Sequence, residues 1–182
     1  MALQNKLPVI ALAQSGGGDL TSLGDWFGFS GAGFALQAKL SAAGIPQITL
    51  VHGSATAGGA YQPGLSDYVV MIKGQEIGGA QMHSEISGVA DYQAENDADG
   101  IRIVREITAS LDWNDSSNSH AVSQYQEPLY EKEQLLGIVP KEAKTPYDVR
   151  EVIARVADGS DFLDFKTEYD MGIDRGENPD EP

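Results

Sequence analysis

The stretch Ile48-Thr-Leu-Val-His-Gly-Ser-Ala-Thr-Ala-Gly-Gly-Ala-Tyr61 decides the fold, because it joins an apolar segment directly to a loop of small residues. The run from Ile48 to His52 is typical of a buried strand. In the loop that follows, from Gly53 to Tyr61, glycines allow the backbone to approach a ligand closely. This stretch therefore predicts a strand whose carboxyl end leads into a binding loop.

The same pattern occurs on both sides of this stretch. A strand is predicted from Leu7 to Ala13, and it runs into the glycine-rich loop Ser15-Gly16-Gly17-Gly18-Asp19. A helix is predicted from Phe34 to Ala43, ended by Gly44, and a further strand from Tyr68 to Ile72. The order strand, glycine loop, helix, strand, glycine loop, strand predicts an α/β fold whose loops after the strands face a ligand.

Charge divides the chain into two unlike parts. Residues 1–75 carry three basic and three acidic side chains, whereas residues 76–182 carry nine and 24 and hold the whole net charge of −15. A chain this acidic lacks the cations that bind nucleic-acid phosphates or an anionic membrane surface. The 182 residues include no cysteine, which excludes disulfide scaffolds, thiolate metal sites and cysteine nucleophiles.

Composition also predicts how the chain is organised. We expect a core at residues 1–111, a linker at 112–127, a helical extension at 128–169 and a disordered tail at 170–182, without an internal repeat. No apolar run is long enough to span a bilayer, and the N-terminus has no signal-peptide pattern. We therefore expect a cytoplasmic protein.

Two helices are predicted in the acidic part. The first runs from about Asp97 to Leu111. The second has Thr145 as its N-cap, Pro146 at its first position and Gly159 beyond its end. Its helical spacing predicts a buried stripe made of Val149, Val152, Ile153 and Val156.

The two glycine loops are the candidates for chemistry. Gly58-Gly59, leading into Ala60-Tyr61, is expected to place backbone N–H groups at the start of a helix, where they can stabilise an oxyanion. Gly16 and Gly17 can form the opposing wall. Glycines required only for tight turns explain the same spacing equally well. Spacing alone therefore predicts an α/β domain that binds an anion or a carbonyl group.

No metal site is predicted. His52, His83 and His120 lack metal-ligand spacing, so structural roles are expected for all three. The segment from Glu95 to Glu106 has the spacing of a calcium-binding loop, but it begins with Glu and has Arg102 at the apolar anchor position. We interpret this segment as the acidic first turn of a helix.

From Leu40 to Met71 the sequence resembles the core of the carboxyltransferase (β) subunits of biotin-dependent acyl-CoA carboxylases. It is most similar to the methylcrotonyl-, geranyl- and propionyl-CoA carboxylase group. The resemblance extends from Leu7 to about Tyr169 and includes Gly78–Tyr92, Ala94–Asp99, Pro128–Tyr130, Leu135–Pro140 and Pro146–Arg155. It implies a crotonase-like fold (a ββα superhelix), as a single truncated carboxyltransferase N-domain with a helical C-terminal extension.

The resemblance also implies a reaction and the residues that serve it. In the family, carboxybiotin on a partner's carrier domain supplies the carboxyl group, and the enolate of an acyl-CoA thioester accepts it. No cofactor is then bound covalently to this chain. Gly58 and Gly59 are the implied catalytic oxyanion donors. The implied substrate-binding residues are Ser15, Gly16, Gly17, Gly18, Thr56, Ala57, Ala60 and Tyr61.

The implied partners follow from the same resemblance. They are acyl-CoA as the substrate, a biotin carboxylase or biotin carrier subunit, and other carboxyltransferase-type domains in a homo- or hetero-oligomer. In a eukaryote, the implied location is the mitochondrial matrix.

Departures from the family leave two hypotheses open. Family β subunits are longer, and they carry an extra apolar Gly-Pro-Pro stretch where Gln75 here joins Glu76 directly. The leading hypothesis is a carboxyltransferase domain that acts only within a larger complex. The alternative is a non-catalytic crotonase-like subunit for assembly or acyl-CoA binding. An enoyl-CoA hydratase or isomerase is disfavoured, because it needs a glutamate near the oxyanion loop and none lies between Met1 and Gln75.

Overall fold

The computed structural model describes residues 1–16, 23–56, 58–74, 80–111, 113, 125–142 and 144–169, with backbone alone for residues 23–30 and 80–82. The chain divides into two compact units. The first comprises Met1–Trp113 and Phe165–Pro182, and the second comprises Asn114–Asp164. Most of the expected linker lies outside the described residues, so the four-part division of the chain stays a prediction.

The first unit alternates strands and helices, as expected for an α/β fold. Its strands form a four-stranded sheet in the order β1-β2-β3-β4, and every neighbouring pair is parallel. Parallel neighbours need crossover connections, and a helix lies in each of them. The elements are α1 (Ala2–Asn5), β1 (Val9–Ser15), α2 (Leu23–Ala42), β2 (Gln47–Ala55), α3 (Gly58–Gly64), β3 (Tyr68–Ile72), α4 (Ala80–Glu85), β4 (Tyr92–Ala94) and α5 (Asp97–Ser110). None of the helices in the described part of the chain is long and apolar enough to cross a membrane.

The predicted strands are present, but β1 ends at Ser15 rather than at Ala13, and β2 spans Gln47–Ala55 rather than residues 48–52. β3 begins and ends as predicted. β1 begins at Val9, two residues later than predicted, because Pro8 has no N–H to donate. The ladder to β2 starts where the Val9 N–H donates to the carbonyl oxygen of Pro46, at 2.9 Å.

Helix α2 is longer than the sequence indicates. It begins at Leu23 rather than at the predicted Phe34. Its first eleven residues include four glycines, each of which weakens helix propensity by about 1 kcal/mol, so local propensity does not indicate this part. The carboxyl end agrees with the prediction, because Gly44 takes the left-handed conformation (φ +66°) beyond the last turn.

Helix α5 covers one face of the sheet and forms the main core. A Cβ on Gly100 would lie 2.7 Å from Cδ1 of Leu50, so the helix approaches the sheet too closely for a side chain there. Removing apolar surface from water, at about 25 cal/mol per Å², is what holds these two layers together. The buried side chains of α5 are Ile103, Val104 and Ile107, and the sheet residues they pack with are Ile48, Leu50, Val70, Ile72, Tyr92 and Ala94.

The other face of the sheet has a smaller core, which α3 helps to cover. Ala13, Val51 and Val69 are buried there. Thr49 lies on the same face, and its Oγ1 is 2.7 Å from Oγ of Ser66, just beyond α3. Both faces of the sheet are therefore at least partly covered, as a parallel sheet requires.

A short repeat secures the amino end of the sheet. Asp67 donates its N–H to the carbonyl oxygen of Gln47 (2.9 Å), and its carboxylate accepts the Gln47 N–H (2.8 Å). Asp91 makes the same pair of bonds with Val69, at 2.8 and 2.7 Å. Both aspartates lie in a G-x-x-D-Y motif, beginning at Gly64 and at Gly88. The expectation that the chain has no internal repeat is therefore wrong for this motif.

The segment after the second unit returns to this end of the sheet. Nζ of Lys166 lies 2.6 Å from Oδ1 of Asp91 and also donates to the carbonyl oxygen of Gly88. The ring of Phe165 makes edge contacts with Tyr68 and Tyr92, with ring centroids 6.2 Å apart in both pairs. Phe165 and Lys166 were expected in the helical extension, but they pack within the first unit because Asp91 and these aromatic rings bind them.

The helix predicted from Thr145 is wrong in its start and its length. Helix α7 covers only Val149–Ile153, and its N-cap is Asp148, whose carboxylate accepts the N–H of Arg150 at 2.9 Å. This cap replaces Thr145 and begins the helix three residues later. The predicted buried stripe is also wrong, because Val149 and Val156 are 55% and 66% exposed.

The second unit is held by polar contacts. Besides α7, it contains α6 (Leu135–Ile138) and 3₁₀ helices at Lys132–Gln134 and Asp158–Ser160. The guanidinium of Arg155 lies 4.9 Å from the ring centroid of Tyr130 and bonds to Glu151 and Gln134, each at 2.7 Å. None of the described residues of this unit is fully buried.

The core at α5 predicts a contrast between two isoleucines of one helix. Ile107 is 0% exposed and Ile101 is 50% exposed. We expect Ile107→Ala to lower the free energy of unfolding by about 2–5 kcal/mol, because it leaves a cavity against the sheet. Ile101→Ala should change it by about 0.5 kcal/mol or less. Urea unfolding measures both, and equal effects would contradict this packing.

The lysine at the amino end of the sheet predicts a second contrast. Lys166→Met leaves the carboxylate of Asp91, a residue only 6% exposed, without its cation. Breaking a buried pair this way costs about 3 kcal/mol, at the low end of the usual range, because the Lys166 side chain is 29% exposed.

The matched control is Lys73→Met, which breaks an exposed pair with Glu95 and should cost less than about 1 kcal/mol. Asp91→Asn in the Lys166→Met background should recover stability, because it removes the unpaired charge. No difference between the two single variants in thermal melts would refute the role of Lys166.

Candidate functional site

The two predicted glycine loops meet at the carboxyl end of the sheet. Ser15 ends β1 and lies opposite Ala55, which ends β2. The N–H and Oγ1 of Thr56 both point to the carbonyl oxygen of Ser15, at 3.4 and 3.5 Å. Ligands of open parallel sheets bind at this end of the strands, so the loops form a candidate binding site.

A bulge in β2 brings the two glycine loops together. Ala13 pairs with Val51 but Ser15 pairs with Ala55, so three residues of β2 (52–54) lie opposite the single residue Gln14 of β1. Gly53 allows the bulge, because a Cβ there would lie 2.5 Å from Cγ of Gln14. Bulges of this kind redirect strands next to functional sites.

Gly59 brings the start of α3 against β1. A Cβ on Gly59 would lie 2.6 Å from Cβ of Ser15 and 2.9 Å from its Oγ. The N–H of Gly59 donates to the carbonyl oxygen of Thr56 at 2.9 Å. In this conformation the lack of a side chain on Gly59 allows α3 to pack closely against β1, and the Gly59 N–H closes a local turn.

Gly58 has a different environment. It is the first residue of α3 and is exposed, and a Cβ there would meet no atom within 4 Å. A Cβ on Gly16, which is also exposed, would meet none either. Open space beside these two glycines can admit a ligand.

The remaining predicted site residues lie on the solvent side of α3 or outside the described residues. Ala60 is exposed, and Tyr61 is 64% exposed with its ring edge-on to Phe34 at a centroid distance of 5.7 Å. Gly17, Gly18 and Ala57 lie outside the described residues.

Charged groups at this end of the sheet are paired with one another. The bond from Lys73 to Glu95 raises the pKa of Lys73 above its usual value. Nδ1 of His52, which is partly buried, lies 3.9 Å from Oδ1 of Asp97. These contacts direct neither the Lys73 nor the His52 side chain at the glycine loops.

The acidic turn predicted at α5 is present. Asn96 caps the helix by accepting the N–H of Asp99 at 3.1 Å. The carboxylate of Asp99 accepts the Glu95 N–H and a bond from Arg102, and both lower its pKa. Arg102 also binds the carboxylate of Glu106 at 2.7 Å. The bonds to Glu106 and to Asp99 raise the pKa of Arg102 above its usual value. In the part of the chain that the structure describes, no three acidic or histidine side chains are grouped to hold a metal ion.

The other two histidines gave no candidate site. Nδ1 of His83, in the last turn of α4, lies 3.0 Å from Oγ of Ser87, just beyond that helix. His120 lies outside the described residues.

One feature of the site was missed in the sequence. The bulge at 52–54 was not predicted, although a glycine inside a strand pattern is a known signal for one. The sequence pattern assigns Gly53 to the start of the loop, whereas β2 continues to Ala55. The partner that explains it, Gln14, is distant in sequence and is identified only by the register of β1 and β2.

Comparison with known proteins agrees with this fold. The sequence profile described as Carboxyl transferase domain matches residues 1–79 and 72–173. A probable biotin-dependent acyl-coenzyme A carboxylase beta2 subunit of Mycobacterium tuberculosis is 46% identical over 97% of this chain and 37% of its own length. The two profile matches overlap at residues 72–79, a segment that begins with the last residue of β3.

Solved structures are similar over most of the chain. The beta subunit of geranyl-CoA carboxylase from P. aeruginosa is 52% identical, with a TM-score of 0.61 over 92% of this chain and 35% of its own. Transcarboxylase 12S, solved with methylmalonyl-coenzyme A and methylmalonic acid bound, is 28% identical, with a TM-score of 0.80 over 92% and 36%.

These likenesses confirm the predicted crotonase-like α/β fold. The chain spans about a third of the length of the proteins it matches. The profile match covers nearly all of its residues. By sequence and by fold, the chain belongs to the carboxyl transferase domain family.

Proposed function

We propose that this chain binds an acyl-CoA thioester between its two glycine loops and stabilises the enolate of that thioester for carboxylation. The observation that carries the proposal is the contact of Ser15 with Thr56 and Gly59, which joins the loops at the carboxyl end of a parallel sheet. The relatives support the substrate class, since one is named as a probable acyl-coenzyme A carboxylase subunit and the structure of another contains methylmalonyl-coenzyme A.

In this proposal the two glycines have different roles. Gly58, at the positive end of α3 and beside open space, presents its backbone N–H to the thioester oxygen. Gly59 keeps Ser15 against the helix and uses its own N–H to hold Thr56. A donor fixed in this way is effective because it needs no reorganisation when negative charge develops on the oxygen. For Gly59 to act as a second donor, its N–H would have to leave Thr56.

The described residues of the two loops include no carboxylate or imidazole that could act as a general base. Among their described residues, Ser15–Gly16, Thr56 and Gly58–Tyr61, the titratable side chain is the phenol of Tyr61, which is exposed. This composition fits a reaction whose base comes from outside the chain. Carboxybiotin, held on a partner's carrier domain, would supply both CO2 and the base that removes the α-proton. The contribution of this chain is then to bind the thioester and to stabilise the charge on its oxygen.

The proposed partners follow from the relatives. A biotin carboxylase or biotin carrier subunit would deliver the carboxyl group, and further carboxyltransferase-type domains would complete the assembly. The chain spans about a third of the length of these relatives. We place the protein in the cytoplasm, or in the mitochondrial matrix of a eukaryote.

A second candidate function is a non-catalytic subunit that retains the fold for assembly or for acyl-CoA binding. The observation that favours it is the short connection from β3 to α4, which comprises only residues 73–79. The two profile matches meet at this connection. If the Gly-Pro-Pro stretch of the family is absent from this connection, the carboxyltransferase site of this chain would be incomplete.

Substitutions at the two glycines test their separate roles. Gly58→Val should leave the melting temperature nearly unchanged, because its side chain enters open space, but should weaken acyl-CoA binding measured by calorimetry. In the active assembly we expect turnover to fall by about 10²-fold or more, because the thioester oxygen is displaced from its donor.

Gly59→Ala should instead lower the melting temperature, because its Cβ collides with Ser15. Adding Ser15→Gly removes the colliding atoms and should restore the melting temperature. A Gly58→Val protein with normal acyl-CoA binding and turnover would show that the loop is only a turn.

The isolated chain tests the dependence on a complex. We expect it to bind acyl-CoA saturably but not to carboxylate it from free biotin or a biotinylated carrier at an enzymatic rate. Radiolabelled carboxyl transfer measures the rate, and addition of candidate carboxylase subunits should restore it. Rapid turnover by the chain alone would refute this dependence, whereas absence of any acyl-CoA binding would refute the proposed site itself.

A further inference from the structure

The carboxyl half of α3 is held by side chains from neighbouring elements, and the proposed function makes no use of this contact. The carbonyl oxygen of Gln62 accepts a bond from Oγ of Ser66 at 2.9 Å and one from Nε2 of Gln37, in α2, at 3.1 Å. In a continuing α-helix this carbonyl would accept the N–H of Ser66, but that N–H donates to Pro63 instead, at 2.9 Å. Two side chains therefore take the place of the backbone donor at Gln62.

Thr49 extends this contact into the sheet. Its Oγ1 lies 2.7 Å from Oγ of Ser66. Because a hydroxyl has a single hydrogen and Ser66 gives its own to Gln62, Thr49 is the donor of this bond. Thr49 belongs to β2 and is only 1% exposed. The hydrogen bonds therefore run in one direction, from β2 through Ser66 to the helix, and bonds in such a chain strengthen one another.

Gln37 is itself fixed by β2. Its carbonyl oxygen accepts a bond from Nε2 of Gln47 at 3.2 Å, and Gln47 is a residue of β2 that is only 3% exposed. Three residues earlier in α2, the ring of Phe34 meets the ring of Tyr61 edge-on, with centroids 5.7 Å apart. Helix α2 therefore contacts α3 at two positions while it is bound to β2. The carboxyl half of α3 cannot shift without breaking contacts with both elements.

The other end of α3 lies at the candidate site. Helix α3 has seven residues, so its length is about 10 Å. Its first turn contains Gly58, which is exposed, and Gly59, which packs against Ser15 and donates its N–H to Thr56 at 2.9 Å. Hydrogen bonds along so short a helix connect its two ends, so a shift at Gln62 moves its first turn as well.

We propose that Gln37 and Thr49 are positioning residues, which hold the turn at Gly58–Gly59 in place by fixing the carboxyl half of α3. Neither residue belongs to the glycine loops, and both act through Gln62. The consequence for acyl-CoA rests on the proposed function. Loss of either bond moves the N–H of Gly58 relative to the thioester oxygen, although no atom of the loops is removed. The link between the two ends of the helix exists without the ligand.

Amide hydrogen exchange of Gly59, followed by NMR on the full chain, tests this link in the absence of a ligand. Thr49→Val removes the hydroxyl but keeps the shape of the side chain. It should speed the exchange about 10-fold or more, because the Gly59 N–H leaves Thr56 more often. Thr49→Ser retains the hydroxyl and should keep the exchange close to that of the unsubstituted chain. Gln37→Met removes the second donor from a half-buried position and should act like Thr49→Val.

The matched control is Thr108→Val, which removes a hydroxyl bonded to the carbonyl oxygen of Val104 at 2.7 Å. This bond lies within α5, so its loss should leave the exchange of Gly59 unchanged. An effect of Thr108→Val as large as that of Thr49→Val would show a general loss of stability and would overturn the proposal. Unchanged exchange in both Thr49→Val and Gln37→Met would overturn it equally.

Calorimetry with acyl-CoA separates this proposal from the proposed function. Thr49→Val and Gln37→Met should weaken binding about threefold or more, because the loop occupies its binding conformation for less of the time. If the unsubstituted chain binds no acyl-CoA, the proposed function is wrong, while faster exchange of Gly59 in the variants still supports the positioning role. If the unsubstituted chain binds acyl-CoA and both variants bind it equally well, Gln37 and Thr49 do not position the site.

Discussion

The structure depends on covering both faces of a parallel sheet. Parallel strands leave no face for solvent, so the core can form only if helices pack on each side. Helix α5 does this on one face, where Ile107 is fully buried and Gly100 allows contact with Leu50. The other face holds a smaller core that begins at Ala13 and Val51. On β1, the side chains of Ile10 and Leu12 are 49% and 64% exposed, in contrast to Ile48 and Leu50 on β2.

The two ends of the sheet have different tasks. At the amino end, Asp67 and Asp91 each bind both backbone groups of a residue in the preceding strand, and Lys166 neutralises the more buried of the two carboxylates. Backbone polar groups there are satisfied within the chain. At the carboxyl end, the bulge opposite Gln14 ends the regular ladder and brings Thr56 to Ser15. The rigid amino end supports loops that are available for a ligand.

Charge is distributed unevenly along the sequence. The part of the chain without net charge contains both glycine loops and the start of α3, which form the surface proposed for the thioester. The acidic part contains α5, where the Arg102 guanidinium is bound between Asp99 and Glu106.

The sequence by itself determined the α/β class, the position of β3, the family and the association of each loop with a strand. Apolar runs and glycines act locally, so their pattern can be interpreted without the fold. Local signals failed at Thr145, where Asp148 only three residues later caps α7 instead, and in α2, which extends through glycines that disfavour a helix. Only the tertiary structure decided that Gly59 lies against Ser15 and donates its N–H to Thr56, because the register of β1 against β2 determines which residues are in contact.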